Sequence, residues 1–68
     1  MKLVMEHETR VTEAVPGVLR VDVDGETVGY VLVAGTVFVS LRGSVYNTSF
    51  EIAQSLDRDA AVRALTDA

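Results

Sequence analysis

The strongest constraint on the fold is a set of turn signals that recur at short intervals. Asp24-Gly25, Gly35-Thr36 and Gly43-Ser44 separate runs 18–23, 26–34, 37–42 and 45–52, all rich in β-branched and aromatic residues. Asp-Gly suits a type I′ turn and Gly-X a type II′ turn, the two geometries whose twist matches that of the strands they join. Consecutive tight hairpins can only build an antiparallel meander. Pro16-Gly17 adds an earlier break, with proline presetting φ and glycine free to take a positive value.

Before that break, residues 2–12 alternate weakly. Leu3, Met5, His7, Thr9 and Val11 share one parity, which predicts a half-buried strand, with a short helix as the alternative. After the meander, Asp57 stands as an N-cap with Asp59 in the first turn, and Ala61, Val62 and Leu65 form an apolar stripe. So short a helix does not survive alone in water and must dock. The expected fold is therefore α+β. It is a single small domain over 1–68, with an N-terminal strand or arm over 1–15, an antiparallel four- to five-stranded meander over 18–52, and a C-terminal helix over 57–67 packed on one face.

Tight turns also predict a register. Loops at 24–25, 35–36 and 43–44 place Leu19, Val21, Val23, Val28, Tyr30, Leu32, Val37, Val39, Leu41, Tyr46 and Phe50 on one face. That face is the expected seat of the helix, and truncating Leu32 or Val39 to Ala is expected to leave a void there. The second face then holds Val18, Arg20, Val31, Val33, Phe38 and Arg42, beside Asp22, Thr27, Ser40 and Val45. An ordinary solvated face is polar. A cluster of Val18, Val31, Val33 and Phe38 calls for a cover: the N-terminal segment, a second copy or another protein. Phe38→Asp is the expected way to split a pair formed through it.

Chemistry-bearing patterns are few. Asp22-Val23-Asp24-Gly25-Glu26 opens like a calcium loop, but the closing acid is missing and a hairpin accounts for the glycine. His7, the single histidine, is flanked by Glu6 and Glu8, which a strand would turn to the opposite face. Gly29 inside a strand reads as a bulge or twist device, the alternative being close approach by another backbone or a ligand. No phosphate loop or nucleophile elbow occurs, so no catalysis, cofactor, metal or small-molecule substrate is expected.

The absence of cysteine excludes thiol chemistry and suits a reducing cytoplasm. The apolar run at 2–5 ends at Glu6, too early for a signal-peptide core, and the most apolar window, 28–41, is broken by Gly35 and shorter than the ~20 residues of a span. No membrane contact is expected. The net charge of −4 disfavours non-specific nucleic-acid binding. A homodimer or a host protein is the expected partner.

The run Val21-Asp22-Val23-Asp24-Gly25-Glu26-Thr27-Val28-Gly29-Tyr30-Val31, with the later Ser55-Leu56-Asp57-Arg58-Asp59-Ala60-Ala61-Val62-Arg63-Ala64-Leu65, resembles small uncharacterised proteins of actinobacteria and their phages. That resemblance implies a short meander with a capped helix, and a phage-encoded accessory or host-directed role. The order of sheet then helix is also similar to the arm-binding domain of tyrosine integrases, which lays its sheet against the DNA major groove. On that likeness Arg20 and Arg42 would approach phosphates.

Overall fold

The structure, a computed structural model, describes residues 7–67. Five strands form one open antiparallel sheet in the order β1-β2-β3-β4-β5: β1 Thr9–Val15, β2 Val18–Val23, β3 Glu26–Ala34, β4 Val37–Arg42 and β5 Phe50–Ser55. A single helix, α1 Arg58–Thr66, follows. The expected meander and helix are therefore the fold. The strand expected over 2–12 lies partly outside the described residues, and within them β1 begins at Thr9.

The turn chemistry operates as its residues demand. Asp24 and Gly25 take φ 53° and 81°, the pair of positive values that a type I′ turn needs, and Gly35 takes φ 62°. Asp57 caps the helix, its carboxylate accepting from the Ala60 N–H at 3.2 Å.

The third turn is different. In place of a two-residue hairpin at Gly43-Ser44, residues 43–49 make a longer connection around a 3-10 turn, Tyr46–Thr48. Its own side chains hold it: the Thr48 hydroxyl donates to the Val45 carbonyl and the Ser49 hydroxyl to that of Tyr46. Serine and threonine compete with ladder pairing in this way. The Tyr30 hydroxyl donates to the Ser44 carbonyl, and the Tyr30 and Tyr46 rings meet edge-on at 5.5 Å. Phe50 consequently opposes Arg42 rather than Val37, and the last strand starts five residues later than its expected position at 45.

The helix docks over Leu19, Val21 and Val28 as expected, but on β3 beyond Gly29 and on β4 it covers the face opposite to the expected one, and a β-bulge is the reason. Asp22 pairs with Thr27, but Val21 pairs with Gly29, leaving Val28 as an extra residue. Below the bulge the register is the expected one. Beyond it, every β2 residue meets a β3 residue one position further along, so Leu19 faces Val31 and Val18 faces Leu32. Val21, Val31, Ala61 and Leu65 form the buried core, with Val11, Leu19, Val28, Phe38 and Val62 packed around it. Val28 and Gly29 thus succeed each other on the helix side, and only the absence of a side chain at Gly29 makes room. A Cβ there would meet the Leu41 carbonyl oxygen and lie 2.7 Å from Leu65 Cδ2. Ser40, fully buried, donates its hydroxyl to the Ala61 carbonyl at 2.8 Å. Small residues on this face (Gly29, Ser40, Ala53) let the helix approach; Tyr30, Leu32 and Leu41 on the other would hold it off.

Candidate interaction surface

Pairing across the strands lays out the face without a helix in rows. One row runs Val15–Val18–Leu32–Val39–Gln54, and the next runs Thr12–Arg20–Tyr30–Leu41–Glu51. Residues directly opposed share a face and touch their neighbours, so Val18, Leu32 and Val39 make a continuous apolar strip. Among the described residues no element lies over this strip. Its border carries large exposed apolar side chains: Val15 is 56% exposed, Tyr46 39% and Leu56 79%. Leu56, Val37, Gln54 and Ser55 line a shallow depression of about 220 Å³ at one end.

Charge on this face is local and largely paired. Arg20 Nε lies 3.3 Å from Asp22 Oδ2 but without hydrogen-bond alignment, while the Thr27 hydroxyl donates to Asp22 Oδ1 at 2.7 Å. Gln54 donates to Glu51 at 3.0 Å. That bond also confirms a second bulge in β5, since Ser40 pairs with Ala53 but Leu41 with Glu51, which leaves Ile52 extra and returns Glu51 to the side of Gln54.

The residues singled out as a candidate interface do not share a surface. Val31 is fully buried beneath the helix, and Phe38 packs against the same core. Arg42 reaches over the helix end to the Ala64 carbonyl, at 3.4 Å. Val33, paired with Phe38, lies on that face too. Only Val18 and Arg20 stand on the open side, and of these Val18 is itself buried, at 8% exposure. The residues that replace the others there are Leu32, Val37, Val39 and Leu41, expected beforehand to be core. Gly29 was the available signal: a glycine inside a strand marks a bulge, and one bulge exchanges the two faces of everything beyond it.

His7 sits in a second polar cluster. Its Nδ1 lies 2.6 Å from Asp24 Oδ2, while Asp24 Oδ1 accepts the Glu8 N–H at 2.8 Å and the Asp24 N–H donates to the Glu8 carbonyl. The start of β1 is thereby clasped to the β2–β3 turn. The hydrogen bond from His7, then that from the Glu8 backbone, holds the Asp24 carboxyl below its ordinary value of 3.8. A carboxyl depressed in the folded state contributes stability above the unfolded value, and that contribution disappears as pH falls through the folded one. Asp24→Asn, which tolerates the positive φ, is expected to flatten this acid limb. Urea melts of both proteins between pH 5 and pH 2 check it; a wild-type limb unchanged by Asp24→Asn removes the clasp.

The depression is lined by Val37, Gln54, Ser55 and Leu56, none of them an acid or a base. Among the described residues no group of three or more His, Cys, Asp or Glu side chains converges on a possible metal position, and no helix is long and apolar enough to cross a membrane. No protein-family model, curated protein or solved structure matches the chain.

Proposed function

We propose that the chain is a small protein-interaction module, without catalytic activity, that works through the open face of its sheet. The observation that carries the reading is the unequal treatment of the two faces. One carries α1 over its centre, whereas the other sets half-buried Leu32, Val39 and Leu41 beside buried Val18 in adjoining rows that no helix covers among the described residues, with Tyr46 folded against Tyr30 at one end. Sheets in stable domains bury apolar faces against a second layer, and an apolar face left without one marks a contact site. A cytoplasmic setting suits a chain free of cysteine. A phage-encoded accessory role accords with its resemblance to small actinobacterial and phage proteins.

Nucleic acid is the poorer fit. Arg20 and Arg42 stand on opposite faces, one beside Asp22 and one engaged with the helix end, so no single phosphate run meets both.

A photo-reactive residue in place of Val39 tests the reading in the cell that makes the protein. Irradiation is expected to give a discrete protein adduct from that position and none from the same probe in place of exposed Asp59. Equal labelling from both positions, or none from Val39, would overturn it.

A further inference from the structure

Resting on that reading, we infer that the partner of the open face is a second copy of this chain, related by a two-fold axis parallel to β3. Charge is the first argument. The chain carries −4 overall, yet the open face holds Arg10 and Arg20 against Glu8, Asp22 and Glu51, a balance of −1 in which Arg10 is paired with Glu8 at 3.2 Å and Arg20 stands 3.3 Å from Asp22. Most of the acidic excess lies elsewhere, so two copies meet here with little of the like-charge repulsion they would suffer on their turns or helices.

The second argument is how those charges are distributed. The arginines stand on the β1–β2 side and Glu51 on β5. A two-fold axis along β3, between the sheets, sets β5 of one copy over β1 of the other and β4 over β2. Each row stays over its own row. Glu51 of the second copy then lies above Thr12, next to Arg20, and Leu41 of the second copy covers the aliphatic stem of Arg20. Leu32 meets Leu32 at the axis, and Val39 meets Val18. The overlay is the aligned packing of a β-sandwich, and an isologous interface of this kind closes as a dimer.

The area suffices. Five strands at ~4.8 Å spacing, each about six residues at ~3.3 Å rise, present ~480 Å² in projection, so a pair buries ~1,000 Å², at the threshold for a specific interface. A chain of 68 residues gains from the second layer what its own core is too small to supply.

Light scattering and sedimentation over a concentration series read the outcome. The wild type is expected to be a dimer at high concentration. Leu32→Asp, which buries like charges at the axis, is expected to weaken it ~100-fold. Glu51→Arg is expected to weaken it ~10-fold, and Glu51→Arg with Arg20→Glu to recover most of that loss. Because the chain has no cysteine, Leu32→Cys carries a unique thiol; a short bismaleimide is expected to link two copies through it and not through Asp59→Cys. A monomeric wild type overturns the second copy and leaves the Val39 photo-labelling to decide the interaction face on its own. A dimer that withstands Leu32→Asp, or that links through Asp59→Cys, overturns both the face and the axis.

Discussion

Val31→Asp unfolds the protein, whereas Leu32→Asp, one residue along the same strand, leaves it folded. Val31 has no exposed surface and packs with Val21, Ala61 and Leu65. A carboxylate placed there has no cation within the pocket, and the hydroxyl opposite it, on Ser40, is already given to the Ala61 carbonyl, so it costs about 4 kcal/mol or more whether it ionises or is forced to stay protonated. Domains of this size hold roughly 5 kcal/mol or less in reserve, so the equilibrium crosses to the unfolded side. Leu32 projects from the other face, only half-buried, where an aspartate keeps its water. There the cost is about 1 kcal/mol, from poorer strand propensity and lost contact with Val18 and Val39. Far-UV circular dichroism with urea melts, run on dilute protein so that association does not enter, separates the two outcomes. Equal destabilisation by the two substitutions would mean that the helix does not choose between the faces.

That contrast also marks the boundary of what could be read from the residues. Local chemistry was legible wherever one or two residues decide a conformation: Asp24-Gly25 as a type I′ turn, Gly35 as a positive-φ turn residue, Asp57 as the cap, and Ala61 and Leu65 as the buried stripe of the helix. Strand order followed, because tight hairpins leave no alternative. The choice of face was not legible. Both faces of β3 and β4 carry valine, leucine and aromatic side chains, so alternation gives two apolar sets and no means to rank them. Ranking them takes the position of the bulge, a property of the β2–β3 pair rather than of either strand. A register drawn without it joins Leu19 and Val21 to Tyr30 and Leu32, which the structure places on opposite sides.

The same slip inverts the meaning of three substitutions. Leu32→Ala and Val39→Ala, expected to open core voids, fall on the open face. Phe38→Asp, expected to report on an interface, instead attacks the packing under α1. Residues 43–49 depart from a two-residue turn for a separate reason: Thr48 and Ser49 satisfy nearby carbonyls with their hydroxyls, and the edge-on contact of Tyr46 with Tyr30 joins positions far apart in sequence. Small side chains were a second hint of the helix seat, beside the glycine that marks the bulge. Gly29, Ser40 and Ala53 all fall on its side, and a helix needs such a trough to come close.

Gly29→Ala is the second large effect, expected to destabilise the fold by about 3 kcal/mol or more through a single methyl group. Gly29 is buried between β2 and β4, at the bulge. An added Cβ meets two obstacles of different stiffness. Leu65 Cδ2, 2.7 Å away, is the far end of a flexible side chain and can turn aside. The carbonyl oxygen of Leu41 cannot, because β4 is held on both sides by ladder hydrogen bonds, with β3 and β5. The methyl therefore forces either the β3–β4 pairing apart or the bulge to move, and moving the bulge exchanges the faces of β3 beneath the helix. Leu65→Ala separates the two obstacles. If the leucine were the main one, Gly29→Ala in the Leu65→Ala background would cost little; with the carbonyl dominant, most of the penalty persists, and the coupling between the two substitutions stays near 1 kcal/mol. Urea melts of the four proteins complete the cycle, and loss of the helical circular-dichroism signal in Gly29→Ala before the sheet signal would locate the failure at α1. A Gly29→Ala protein as stable as the wild type would place the helix somewhere other than over β3.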